Sequence, residues 1–172
     1  MSGGGSRWDW YRLRPDWAER LVEAAGVRRG ELVVELGAGD GALTLPLAAA
    51  GARVIAVELH AGRAQRLRDR VTDLDVRVVE LDVLDFRYPQ RRVRVVANPP
   101  FAIASTLIRA AVGQPAVAAL DLVLPRAVAL RWADGHSRSA RRFRAALGPG
   151  FPRRAFAPAP RVDCVVLHLR RR

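Results

Sequence analysis

Short apolar runs recur along the chain, and stretches with helical spacing separate them. The runs at 31–36, 53–57, 76–80, 93–97 and 117–124 are rich in Val, Leu and Ile, and read as strands buried on both faces. Between them, residues 15–25, 42–50, 61–71, 103–112 and 126–132 read as helices. In the first of these, Trp17, Leu21 and Val22 share one face, Pro15 and Asp16 stand in the first turn, and Gly26 follows the end. Pro46 falls inside the second predicted helix, where it removes a backbone donor, and the pattern offers no reason for it. Two β-rich segments near 153–157 and 164–169 close the chain with no helix between them. Strand and helix alternating, then two successive strands, predict an α/β fold: a mostly parallel sheet with an antiparallel hairpin at one edge.

Ligands of such sheets sit outside the carboxyl ends of the parallel strands, and the polar residues of this chain concentrate there. After the first apolar run come Gly37, Gly39 and Gly41, spaced Gly-x-Gly-x-Gly behind the acidic Glu35. Strand, glycine turn and helix let backbone approach a nucleotide closely, and this spacing, which is not Gly-x-Gly-x-x-Gly, suits a ligand with no pyrophosphate. The next strand ends in Glu58, where a carboxylate can hold ribose hydroxyls. Asp82 follows the third strand and could accept from an adenine amino group. Either acid alone is more often a solvated loop residue; both in register with the glycine turn make a nucleoside pocket the better reading.

The fourth strand runs into Asn98-Pro99-Pro100-Phe101. Two prolines leave this backbone little freedom, so an Asn amide and a carbonyl beside Pro99 are set in place before any ligand arrives. Those two acceptors match the two hydrogens of an exocyclic amine, a poor nucleophile whose lone pair is delocalised into its ring. Phe101 could stack on the same base. The plainer alternative is a strand-ending turn with a core Phe.

At 172 residues the chain is long enough for one domain, and residues 1–14 read as an N-terminal extension. No apolar run reaches the roughly 18 residues of a membrane helix, and Met1 to Ser6 lack a signal-peptide core, so a cytoplasmic protein with no membrane partner is expected. The single Cys164 excludes an internal disulfide and suits a small core residue in a late strand; no metal is expected. The net charge is +12, and all 29 basic residues are arginine. Residues 1–120 carry 17 arginines against 14 acids, whereas 121–172 carry 12 against 3. That basic pole favours a polyanion, most simply nucleic acid, with Arg126, Arg131, Arg138, Arg141 and Arg142 as its candidate contacts. A solvated basic face is the alternative. Trp8-Asp9-Trp10-Tyr11 could close over a ligand, stack on a base or simply pack the N-terminal helix on the sheet.

Taken together, Glu35 to Thr44, Val54 to Glu58, Asp82-Val83-Leu84, Asn98-Pro99-Pro100-Phe101 and Phe156 to Cys164 resemble the successive motifs of the rRNA adenine N6-methyltransferases. This family includes the erythromycin-resistance enzymes acting on 23S rRNA and the dimethyladenosine transferases acting on small-subunit rRNA. The resemblance implies a Rossmann-like class I methyltransferase fold with a seven-stranded, mostly parallel sheet. It implies S-adenosylmethionine bound by Glu35, Gly37, Ala38, Gly39 and Gly41, its ribose at Glu58 and Leu59, its adenine beside Asp82 and Val83, and Asn98 next to both cofactor and target. Asn98, Pro99 and Phe101 would be the catalytic set, rRNA (23S before 16S) the partner, macrolide-type resistance a possible outcome and a monomer the expected state. Two departures stand out. Trp8 to Leu13 replace the Gln-Asn-Phe-Leu segment usual in the family, and no separate C-terminal RNA-binding domain follows within Arg172. DNA adenine and protein glutamine methyltransferases share the Asn-Pro-Pro-aromatic loop, and an inactive RNA binder of the same fold is a further alternative; the Phe156-to-Asp163 motif and the intact Glu58, Asp82 and Asn98 favour the rRNA enzymes.

Overall fold

The computed structural model describes residues 10–134 and 141–172. In chain order the elements are β1 (Arg12–Leu13), α1 (Pro15–Ala25), β2 (Leu32–Leu36), α2 (Thr44–Ala49), β3 (Arg53–Glu58), α3 (Ala61–Arg70), β4 (Val76–Glu80), β5 (Val93–Ala97), α4 (Ala104–Val112), β6 (Val117–Pro125), α5 (Arg126–Ala133), β7 (Phe143–Phe151), β8 (Phe156–Ala157) and β9 (Cys164–Arg171). A seven-stranded sheet has the order β4-β3-β2-β5-β6-β9-β7, and β1 pairs with β8 in a separate ribbon. Strands β4, β3, β2, β5 and β6 run parallel; β9 is antiparallel to β6 and to β7. This is the mostly parallel sheet with an antiparallel C-terminal edge that the strand and helix pattern implies.

The apolar runs become strands because both sheet faces are covered. Every residue of β5 is buried, as is β6 up to Leu124. On one face, Leu21 and Val22 of α1, Leu47 of α2 and Leu67 of α3 pack on Val33, Val54 and Val96. On the other, Leu107 and Ile108 of α4 and Trp132 of α5 pack on Leu36, Val95 and Leu122. Cys164 is buried in β9. None of the described helices is long and apolar enough to cross a membrane.

Two local expectations change. Helix α2 begins at Thr44, not Ala42, so Pro46 stands in its first turn, where backbone N–H groups lack intrahelical acceptors and a proline costs little. The edge strand that pairs with β9 is Phe143–Phe151, whereas the sequence pattern places one near 153–157. Residues Arg153–Ala155 form a 3-10 turn, and only Phe156–Ala157 extend, against β1. Gly148-Pro149-Gly150 hid the true strand: it has a turn's composition, yet here it is an irregularity in the β7–β9 register between Leu147 and Gly150. Such a proline is tolerated because β7 is an edge strand.

A buried ionic cluster pins β6 to its neighbours. Asp121 has no exposed surface. It accepts from Arg94 Nη1 at 2.8 Å and Arg170 Nη2 at 2.6 Å, and its other contact is His168 Nδ1 at 2.5 Å. Arg94 also donates to Glu31 at 2.9 Å and to the Ala25 carbonyl at 2.8 Å. Removing the shared carboxylate leaves Arg94 buried without its main partner. Asp121→Ala is therefore expected to lower unfolding stability by about 3–5 kcal/mol in urea denaturation; a loss below 1 kcal/mol would show that the cluster is not structural.

Candidate active site

The tips of β2, β3, β4 and β5 end at one level, and each feeds a short loop into the same space. Behind β2, the N–H groups of Gly37 and Ala38 both donate to the Val57 carbonyl at 2.9 Å, which bends the glycine loop back over β3. Gly39 has φ +57°, and a Cβ built there would come within 2.6 Å of the Trp10 ring. Only glycine accommodates both that backbone and that contact.

Glu58, at the tip of β3, clamps this loop. Its Oε2 accepts from Gly39 N at 2.7 Å and its Oε1 from His60 N at 2.8 Å, with Arg63 Nη1 at 3.9 Å. A carboxylate offers about four acceptor positions, so the two backbone bonds leave capacity for a ligand's hydroxyls. Asp82 accepts from Leu84 N at 2.9 Å, which shapes the turn after β4. Between these loops lies a cavity of about 440 Å³ lined by Trp10, Gly37, Glu58, Leu59, His60, Ala61, Arg63, Asp82, Val83, Pro100 and Ile103. Its size and largely apolar walls suit a nucleoside. A recess of about 20 Å³ adjoins it, lined among others by Trp10, Glu35, Gly37, Ala38, Leu43 and Asn98.

Asn98 follows β5. Its Nδ2 donates to the Tyr11 carbonyl at 2.6 Å. Its Oδ1 is buried and has no hydrogen-bond partner among the described residues. A carbonyl can only accept, so this bond sets which end of the amide faces Tyr11 and leaves the acceptor end for something else. An orphaned buried acceptor costs free energy that a donor arriving there would recover. The Tyr11 and Phe101 rings lie 5.2 Å apart, tilted by 34°.

Glu35 is buried to 1% exposure and accepts from Thr44 Oγ1 at 2.5 Å. Burial pushes its carboxyl up from 4.5 to about 8; the Thr44 bond opposes this in part and the charge of Glu58 adds to it.

Of the sequence candidates, the fold brings Glu35, Gly37, Ala38, Glu58, Leu59, Asp82, Val83 and Asn98 onto the two adjoining recesses, with Gly39 bonded to Glu58. Gly41 faces Leu67 of α3. Pro99 packs among Leu36, Val95 and Leu107, while Pro100 faces the cavity. Phe101 lies against Tyr11 and lines neither recess. Exposed Arg126 directly follows β6 at the site's end of the sheet, and Arg131 is exposed further along α5. Arg141 and Arg142 precede β7, whose first residue pairs with Arg171 at the opposite end of β9. The length of β9 puts them about 25 Å from the strand tips. Arg138, Trp8 and Asp9 lie outside the described residues. Arg63, His60, Ala61 and Ile103 line the cavity without having been singled out from the sequence; their position within six residues after a strand end was the available signal.

The family model for ribosomal RNA adenine dimethylase matches residues 13–148. The chain belongs to the ribosomal RNA adenine dimethylase family. Among related family members, an rRNA adenine N-6-methyltransferase of Corynebacterium diphtheriae is 34% identical over 81% of this chain and 57% of its own length. The ribosomal RNA small subunit methyltransferase A of Deinococcus radiodurans is 32% identical over 87% of this chain and 55% of its own. The mycinamicin-resistance protein MyrB of Micromonospora griseorubida is 33% identical over 89% of this chain and 51% of its own. This dimethylase-family chain thus spans about half the length of the curated relatives it matches. The crystal structure of the 23S rRNA methyltransferase ErmE has a TM-score of 0.85 at 28% identity, over 93% of this chain and 69% of that one.

The raised Glu35 carboxyl has a sign that can be tested. In the unfolded chain it ionises at its ordinary value of 4.5, whereas in the fold it stays protonated to about 8. The stability it contributes is full below 4.5 and is lost as pH rises through about 8. Glu35→Gln keeps the acceptor for Thr44 and cannot ionise. The difference in melting temperature, wild type minus variant, is expected to fall between pH 4.5 and 8 and to level above; parallel curves would contradict it.

Proposed function

We propose that this chain carries the catalytic site of an S-adenosylmethionine-dependent methyltransferase acting on the N6 amine of an adenine in rRNA, with 23S rRNA as the substrate and macrolide-type resistance as the consequence. The buried Oδ1 of Asn98, with no partner among the described residues and with its amide oriented by Tyr11, carries the reading. It is an acceptor held ready beside a nucleoside-sized cavity.

The residues present suit the cofactor. Glu58 keeps acceptor capacity for ribose hydroxyls, Asp82 and Val83 border the cavity where an adenine would lie, and Gly37, Ala38 and Glu35 lead toward Asn98. When bound, S-adenosylmethionine supplies a methyl carbon already activated by its positive sulfur.

The protein's own part is positioning. Asn98 Oδ1 would accept one hydrogen of the target amine. The Pro100 carbonyl already accepts from Ile103 N at 3.2 Å, so the Pro99 carbonyl is the loop's remaining candidate for the second. Holding both hydrogens draws the nitrogen toward tetrahedral geometry and aims its lone pair. Phe101, backed by Tyr11, offers an aromatic face to the extruded base. Arg126 stands where a phosphate flanking that base would pass; Arg131 extends the basic surface, and Arg141 and Arg142 meet only RNA that reaches the far end of the sheet.

The similarity to ErmE supports 23S rRNA and that to MyrB supports resistance. Relatives named for small-subunit methylation favour 16S rRNA as a second reading. The discriminating experiment is methyl transfer from labelled S-adenosylmethionine to protein-free 23S rRNA, 16S rRNA and duplex DNA. Label is expected as N6-methyladenine in 23S rRNA, and Asn98→Ala should lower turnover by about 10²-fold while changing cofactor affinity little, as loss of positioning does. Label in 16S rRNA alone would select the second reading, and full activity in Asn98→Ala would remove the mechanism.

A further inference from the structure

The cavity and the adjoining recess meet at Trp10, whose side chain lines both. The indole is held in place from more than one direction. The Arg63 guanidinium lies 4.3 Å from its ring centroid, and Arg63 in turn stands 3.9 Å from Glu58. On the Gly39 side the backbone is so close that a Cβ would meet the ring at 2.6 Å. The next residue, Tyr11, is tied by its carbonyl to Asn98 and by its ring to Phe101.

The volumes on either side of the indole are unequal. The 440 Å³ cavity beside Glu58 and Asp82 admits a nucleoside. The recess between Glu35 and Asn98, of about 20 Å³, admits about one water. The amino-acid arm of S-adenosylmethionine is several times larger than a water, and the glycine loop and Glu35 are the groups that would receive it. Glu35, Gly37 and Asn98 belong to the sheet core or its tightly bonded tips. Trp10 precedes β1 and is only partly buried, so its side chain is the wall that can move.

We propose that Trp10 is the specificity-determining residue of the cofactor site, its indole standing in the space of the cofactor's amino-acid arm. The inference rests on the S-adenosylmethionine reading above. A bare nucleoside enters without disturbing the ring. The full cofactor displaces the indole from Gly39 and from Arg63, and its apparent affinity is reduced by the fraction of molecules in which the ring is in place. The arrangement makes Trp10 a discriminator between ligands that share adenosine and differ in the arm.

Calorimetric titration of adenosine and of S-adenosylmethionine into the wild-type chain, Trp10→Ala and Trp10→Phe separates the possibilities. Trp10→Ala is expected to bind S-adenosylmethionine about fivefold or more tighter than wild type, while adenosine, which loses the indole as one wall of its cavity, binds no tighter, with Trp10→Phe intermediate, as removal of a competing conformation requires. Unchanged or weaker S-adenosylmethionine binding by Trp10→Ala, with adenosine unaffected, would overturn the proposal and make the indole a bystander or an ordinary contact. Equal tightening of both ligands would overturn it too, because the ring would then block the nucleoside as well. Adenosine binding alone, in all three proteins, would overturn the cofactor reading itself.

Discussion

The constraint on which the rest depends is the register of the parallel strands. Leu36 pairs with Val57, Glu58 with Glu80, and Glu35 with Val96. The chain leaves β2, β3, β4 and β5 at nearly the same height, and Gly37, Leu59, Leu81 and Asn98 open their loops side by side. A slip of one residue in any pair would turn each side chain toward the opposite helix layer, mismatch the packing on both faces and carry its loop out of the site. The burial of both sheet faces therefore fixes the site as well as the core.

Within that frame, single groups serve the fold and the site together. Glu58 holds Gly39 and the turn at His60 with the same carboxylate that faces the cavity. Asn98 is anchored through its donor end, and under the proposed function its acceptor end would need no rearrangement to receive an amine. The N-terminal strand matters here: β1 is fixed to β8, near the chain's far end, and brings the Tyr11 carbonyl to the loop of Asn98. If the proposed function holds, a preset acceptor of this kind would contribute to rate by orientation, since little reorganisation would remain when the substrate arrives.

Much of this was legible in the sequence because it is local. Runs of Val and Leu announced the parallel strands, and the residue types at their ends announced the glycine loop, Glu58, Asp82 and Asn98. What escaped depends on pairing between distant segments. The strand at Phe143–Phe151 was masked by Gly148-Pro149-Gly150, whose composition marks a turn but whose place at a sheet edge permits a bulge. Asp121 gathers Arg94, His168 and Arg170 from separate strands, and no spacing along the chain reveals that. Arg126 and Arg141 look equivalent as arginines in a basic segment, yet β6, β9 and β7 carry them to opposite ends of the sheet. The placement of Trp10 and Tyr11 beside the site depends on the β1–β8 ribbon, which joins segments from the two ends of the sequence.

The most direct measurement is a crystal structure of the chain with S-adenosylhomocysteine. Its ribose should lie on Glu58 and its adenine beside Asp82 and Val83, with the sulfur facing Asn98 Oδ1 and Asn98 Nδ2 still bonded to the Tyr11 carbonyl. A ligand bound elsewhere, or an Asn98 amide released from Tyr11 and turned away from the sulfur, would contradict the assignment of this cavity and of its preset acceptor.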